Sequence, residues 1–323
     1  MVDIMRKFQK QQLLDIIASL HMLHQESREK LSQRKYQEVL IALDDCQKAA
    51  IQMGGAIEQL EGMGTKAVTC LEEYCEELYQ VSLQLGEISQ GKFYKCLEEL
   101  LGNAENEIEC MAARKEVVFL PYKASMWDSL ESVYLAARED ASCDAYVVPI
   151  PYYDKNPDGS FGKMHYEGNE YPDNIEITHY EAYNLEARHP DVIYIHNPYD
   201  NSNWVTCVPE RYFSSNLRKY TEQLVYIPYF VLDEIEPYDE SRIEGMRHFC
   251  FLPGVIYADK VIVQSENIRQ IYINEFMKEA RVRGLPGEYV DRKKLEEKIL
   301  GLGSPKFDKV LNTKKADYGI PED

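Results

Sequence analysis

Residues 190–201 read PDVIYIHNPYDN. Val192, Ile193, Tyr194 and Ile195 favour extended backbone, and β-branched and aromatic residues of this kind suit a buried strand. The run stops at His196, and a turn follows through Asn197, Pro198, Tyr199, Asp200 and Asn201. Pro198 fixes its own φ and pushes Asn197 out of the helical region, so the side chains after the strand are presented in a defined direction. A strand that ends abruptly on hydrogen-bonding side chains suits the carboxyl edge of a parallel sheet, the edge at which open α/β sheets bind ligands.

The surrounding sequence decides whether such a sheet exists. EVVFLPYKASMWDSLESVYLAARED (116–140) reads as a strand, a short loop and a helix, with Ser125 as helix cap and Asp128 as the acidic partner of a shortened capping box. DAYVVPIPYYD (144–154), QLVYIPYFV (223–231) and ADKVIVQSE (258–266) are further strands. Helical stretches are expected over 127–138, 181–188, 210–222, 241–257 and 265–280. Strands rich in Val, Ile and Tyr alternating with helices indicate a parallel sheet covered on both faces. Parallel strands end on one side. Residues 122–125, 151–154, 196–201, 228–230 and 264–266 therefore converge on one rim. Ser265 and Glu266 are read as helix caps. The segment 151–174, PYYDKNPDGSFGKMHYEGNEYPDN, turns at NPDG and is long enough to wall a site, with His165 and its tyrosines either facing a ligand or packing the insertion down.

Residues 1–113 follow another rule. They contain no proline, and apolar residues recur every three or four positions. Leu13, Ile16, Ile17, Leu20 and Leu23 mark one stripe; Tyr36, Val39, Leu40, Leu43 and Cys46, continued by Ala50, Met53, Ile57 and Leu60, mark a second. Val68, Leu71, Cys75, Leu78, Val81 and Leu85 form a third, and Phe93, Cys96, Leu97, Leu100, Ala104, Ile108 and Met111 a fourth. Breaks near 27–34, 62–65 and 86–91 predict four antiparallel helices. Gly54 and Gly55 interrupt the second stripe, as a kink or a close helix contact. His21 and His24 lie one turn apart, a spacing that suits a metal pair. With no third ligand visible in the sequence they are read as solvated or bundle-edge residues, and no metal or cofactor is expected.

The formal net charge of −19 over 323 residues repels phosphate backbones, which excludes general nucleic-acid binding. No run is long and apolar enough to span a membrane, and MVDIMRKFQKQQ lacks the core of a signal peptide. Eight cysteines without a C-x-x-C pair read as reduced thiols, so the expected location is cytoplasmic. There is no P-loop, no G-x-G-x-x-G after a strand, no H-E-x-x-H and no G-x-S-x-G. GLGSPKFD (301–308) and RGLPGEY (283–289) read as turns.

Six segments together resemble bacterial proteins of the CDP-glycerol glycerophosphotransferase family: 116–134, 143–168, 188–201, 224–232, 258–273 and 300–310. The resemblance spans Lys115 to Asp323, and the helical segment resembles the N-terminal extension of the same subgroup. It implies a GT-B-like fold of two Rossmann-like lobes that transfers phosphoglycerol or sugar units from a nucleotide-linked donor to a hydroxyl acceptor in cell-envelope polymer synthesis (teichoic acid type). GSPKFDKV (303–310) is similar to the family's segment closing the first, acceptor-side lobe. The expected organisation is thus a helical bundle over 1–113, a Rossmann-like acceptor-side lobe over 114–312, and the start of a linker over 313–323 to a donor lobe absent from this chain. The family's Trp-His-Gly segment corresponds to VYIPYFV (225–231), which has no histidine. His196 is the candidate general base in its place, the alternative being a residue that caps the strand end through backbone hydrogen bonds and shapes the turn. Tyr122, Lys123, Asn197, Tyr199, Asp200 and Tyr229 are the candidate substrate-binding residues, with Tyr199 and Asp200 also read as holding the turn and Lys123 as a solvated surface residue. The other reading is a non-catalytic envelope-assembly module whose bundle docks a protein partner, with peripheral contact at the inner face of the membrane left open.

Overall fold

In the computed structural model, residues 4–313 are described; the linker expected over 313–323 lies, beyond Thr313, outside the described residues. The chain divides into two units between Arg114 and Lys115, within two residues of the boundary read from the change in periodicity.

The first unit is α1 (Lys7–Ser32), α2 (Tyr36–Glu61), α3 (Lys66–Leu83) and α4 (Gln90–Cys110). Each helix packs on the next, and α1 also packs on α4, which closes the bundle. Thr65 and Ser89 cap α3 and α4 by accepting the N–H groups of Val68 and Lys92 at 3.3 Å, as residues ahead of a helix do when the first turn lacks acceptors. The four stripes meet in one core of Ile17, Val39, Met53, Ile57, Leu71, Tyr74, Phe93, Leu97 and Ile108 among others. The fourth stripe turns inward one residue later than expected, at Leu101 rather than Leu100, and Ile16 is exposed. α2 runs unbroken through Gly54 and Gly55, and a Cβ at either would meet nothing within 4 Å, so neither a helix break nor a close contact explains them. Of the two histidines read as solvated or bundle-edge, His21 keeps partial exposure, but the reading of His24 needs correction, because it is 1% exposed. At the ends of the unit, the Lys7 N–H donates to the Arg114 carbonyl and the Arg114 N–H to the Met5 carbonyl, both at 2.9 Å.

The second unit is α/β. Strands β1 (Lys115–Leu120), β2 (Cys143–Val147), β5 (Val192–Ile195), β7 (Gln223–Tyr226), β8 (Lys260–Val263) and β9 (Ile299–Gly301) form one sheet in the order β2-β1-β5-β7-β8-β9, every pair parallel. Alternate residues feed two cores, as period-two geometry requires. Val118, Leu120, Ile193 and Ile195 face one side, and Val117, Phe119, Val225 and Ile227 the other. This is a doubly wound, Rossmann-like lobe. Between β2 and β5 the insertion forms β3 (Tyr152–Lys155) and β4 (Phe161–His165), an antiparallel hairpin that β6 (Thr206–Cys207) extends to three strands.

Several sequence expectations shift. The sixth sheet strand, β9, falls where GLGSPKFD begins. The helix expected over 127–138 is a 3-10 segment, Ala124–Ser129, followed by α5 (Glu131–Glu139). Ser125 caps nothing there, and Asp128 instead receives the Lys306 ammonium at 2.6 and 2.7 Å. The stretch 241–257 breaks at Pro253, which starts a new helix, Pro253–Tyr257. The stretch 210–222 holds only short turns. Ser265 does cap Glu266–Val282, accepting the Ile268 N–H at 3.2 Å. No helix among the described residues is long and apolar enough to cross a membrane. The eight cysteines are unbonded to one another; Cys46, Cys207 and Cys250 are buried and Cys110 is exposed.

Candidate functional site

The strand order reverses beside β1: β2 lies on one side and β5 on the other. In a doubly wound sheet the crevice at such a switch point is where ligands sit, beyond the carboxyl ends of the strands. Here those ends are Tyr122 and Lys123 after β1 and His196 after β5. The structure brings them together with Tyr229, which follows β7, and Tyr152, which opens the hairpin. The Tyr122 ring centroid lies 5.5 Å from those of His196 and Tyr152 and 6.4 Å from that of Tyr229. The Tyr199 side chain neighbours that of Tyr229 on the same rim. Burial pushes the phenols of Tyr122 and Tyr199 well above the ordinary tyrosine range, so they remain hydrogen-bond donors at any physiological pH.

His196 is at this switch point but not open to it. It is 0% exposed, and both ring nitrogens are taken. Nε2 accepts the Tyr122 N–H at 3.1 Å, and Nδ1 lies 3.0 Å from the Ser129 hydroxyl, which itself donates to the Met126 carbonyl at 2.7 Å. These bonds fix the tautomer: Nδ1 carries the proton and Nε2 is the acceptor. Burial holds the pKa down at about 3, so the ring is neutral. A neutral imidazole with no free nitrogen cannot take a proton from a substrate hydroxyl without breaking these bonds. The expected general base is, in this arrangement, a bracket that ties the end of β5 to the loop after β1.

The turn after His196 is similarly self-contained. The Asn197 Oδ1 accepts the Tyr199 N–H at 3.2 Å, an Asx-type turn. Asp200 has φ +48° and faces inward, accepting the Ser214 N–H and hydroxyl at 2.8 Å each. Burial raises its carboxyl to about 6 although the Ser214 bonds pull the other way. Asp200 therefore holds the turn, and Asn197 closes its first step while keeping partial exposure. Pro198 lies against Gly254, whose N–H donates to its carbonyl at 2.8 Å; a Cβ on Gly254 would stand 2.7 Å from the Pro198 Cα.

Of the expected substrate-binding residues, Lys123, Asn197, Tyr199 and Tyr229 keep partial exposure. The Lys123 ammonium lies over the rings of Tyr122 and Tyr152, 5.5 and 5.0 Å from their centroids, and no carboxylate among the described residues pairs with it. Two contributors, Ser129 and Glu167, escaped the sequence reading because they come from distant segments, whereas His165 is among the residues read as facing a ligand or packing the insertion. Ser129 locks His196. Glu167 joins the Tyr152 hydroxyl at 2.5 Å to the Ala124 N–H at 2.8 Å, which pins the insertion to the loop after β1. His165 stacks on the Tyr152 ring at 5.0 Å, and its Nε2 meets Asp154 at 2.9 Å. Its Nδ1 has no partner among the described residues. Behind the rim the Tyr226 hydroxyl is fully buried without a hydrogen-bond partner among the described residues. Concavities occur elsewhere in the unit, one of about 690 Å³ beside His248, Phe251 and Glu275 and one of about 440 Å³ over Tyr194 and Ile262. Neither collects convergent polar groups at strand ends, so the rim is the stronger candidate.

Comparison of the chain with protein-family models, with curated proteins and with solved structures finds no match in any of the three. The class defined by fold and site together is a Rossmann-like lobe with a tyrosine-rich, lysine-bearing rim at its switch point.

Proposed function

We propose that the lobe binds a phosphate-bearing hydroxyl compound at this rim, as the acceptor side of a phosphoglycerol or glycosyl transferase related to the CDP-glycerol glycerophosphotransferases. The observation that carries the reading is Lys123: a half-buried ammonium at the switch point, cradled by two tyrosine rings and without an acidic partner. In a chain of net charge −19 an unneutralised cation among hydroxyl donors favours an anion. Tyr199 and Tyr229 supply further donors to phosphate or hydroxyl oxygens. Transfer to a hydroxyl also needs a base. With His196 sealed, the role falls to His165, held through Nε2 by Asp154 and leaving Nδ1 to receive the proton. A second reading, a binding module without chemistry, draws support from the sealed His196 itself.

Titration of the protein with glycerol 3-phosphate and with glycerol separates these claims. Glycerol 3-phosphate is expected to bind and perturb the rim tyrosines, glycerol at the same concentration is not, and Lys123→Ala is expected to weaken binding at least tenfold. Equal binding by Lys123→Ala removes the phosphate assignment. His165→Gln should leave that affinity unchanged. It should lower turnover by roughly 100-fold in a chain that carries a donor lobe if His165 is the base; undiminished turnover would assign proton transfer elsewhere.

A further inference from the structure

We propose that His21, His24 and Glu98 are the protein ligands of a divalent transition-metal site in the helical bundle, with a donor set suited to Zn²⁺. His21 and His24 stand one turn apart on α1, and Glu98 faces them from α4. The two imidazoles present the same atom to the same carboxylate: Nδ1 of His21 lies 2.8 Å from Oε2 and Nδ1 of His24 lies 2.7 Å from Oε1. The three donor atoms lie within 4.8 Å of one another. A cation bound at the usual distance of about 2.0–2.2 Å from nitrogen and oxygen ligands fits between them after small side-chain adjustments. Two imidazoles and one carboxylate are a ligand set that zinc sites with an open position use.

The groups behind the ligands strengthen the case, because metal-bound histidines need a partner for the other ring nitrogen. Coordination through Nδ1 puts the proton on Nε2. For His24 that nitrogen meets the buried Tyr74 hydroxyl at 2.6 Å. The phenol oxygen can accept a hydrogen bond from the Nε2–H, so the tautomer required for metal binding keeps that nitrogen partnered. For His21 the Nε2 atom lies 3.4 Å from the Glu105 carboxylate, one further acceptor in place. Three helices thus contribute: α1 and α4 the ligands, α3 and α4 the support. The side chains of His21 and Glu98 retain 27% and 24% exposure, which gives an ion a way in and leaves room for water as a fourth ligand. Coordination would clip the first helix to the last across a sequence separation of 74 to 77 residues.

The test uses the full chain freed of metal by a chelator. Calorimetric titration with Zn²⁺ is expected to show one equivalent bound at micromolar Kd or tighter, and Zn²⁺ should raise the melting midpoint of the bundle. Co²⁺ in its place should give the visible bands of a low-symmetry four-coordinate ion without thiolate-to-metal charge transfer, which separates this site from one built on cysteines. Glu98→Gln and His21→Ala, both at partly exposed positions, should keep the helical circular dichroism and lose at least about 100-fold in affinity. Glu105→Gln, which removes only support behind His21, should lose about tenfold. Absence of stoichiometric binding, binding unaffected by His21→Ala and Glu98→Gln, or thiolate bands with Co²⁺ would each overturn the assignment.

Discussion

The bundle and the lobe each bury one histidine almost completely, His24 at 1% exposure and His196 at 0%, and surround it differently. His196 is bracketed by neutral groups on both nitrogens, a backbone N–H and a serine hydroxyl. His24 meets a phenol on one side and, on the other, a carboxylate that also reaches a half-exposed second histidine. The first environment selects one tautomer and one charge state and so serves architecture. The second tolerates a change of proton position, because a phenol both donates and accepts, and it stays connected to solvent through His21. Burial alone therefore says little about what an imidazole does; its partners decide.

The largest test of this contrast is acidification. The folded-state pKa of His196 lies near 3 because burial disfavours the imidazolium, against 6.5 when unfolded. Between these values the unfolded chain binds a proton that the folded lobe does not. The stabilisation is fully present above pH 6.5 and is lost as pH falls through that window. Between pH 6.5 and about pH 4 the loss is roughly 3 kcal/mol from this residue alone. Urea unfolding of the lobe at both pH values, compared with His196→Asn, measures it; an equal acid response in the variant would show that His196 is not the source.

A smaller effect is expected for Ser129→Ala, which orphans both the His196 Nδ1 proton and the Met126 carbonyl, at a cost of about 2 kcal/mol. The counterpart in the bundle, Tyr74→Phe, removes one partner from His24 while Glu98 still holds the other nitrogen, and should cost about 1 kcal/mol. Both are read by denaturant midpoints, with the unfolding of each unit followed separately. If Tyr74→Phe proved the costlier of the two, the bundle histidine would be the more rigidly specified, and the contrast would reverse.

Much of this architecture is legible in the sequence because it depends on local periodicity. The four stripes of the bundle and the runs around Val118, Ile193, Val225 and Val261 each declare their element without reference to the rest of the chain. β9 does not: three residues, Ile299–Gly301, carry too little pattern, and the strand exists because β8 offers it an edge. The break at Pro253 was available from the rule that the residue before proline avoids the helical region. The rim itself was readable, since the ends of parallel strands must share a side. What lay beyond reach was depth. His196 is sealed by Tyr122, Tyr229 and Ser129, which arrive from two other strand ends and a 3-10 turn. Asp128 finds its partner in Lys306, 178 residues away. Glu98 completes the histidine pair of α1 from 77 residues downstream. Local pattern places such side chains on an element, and only the packing of elements tells which of them meet.

The short backbone ladder between Met5, Lys7 and Arg114 has a topological consequence. It brings the start of α1 and the end of α4 within one hydrogen bond of each other, so the bundle enters and leaves at a single point. A unit built this way is a closed loop in all but covalent bond. Its ends can be joined and its chain reopened at the Gly62–Thr65 turn without moving a core residue, and it can be spliced into a surface loop of another protein with little strain at the seam. The same closure means that tension applied between its two ends is borne first by those few backbone bonds, which would part before any helix is drawn out of the core.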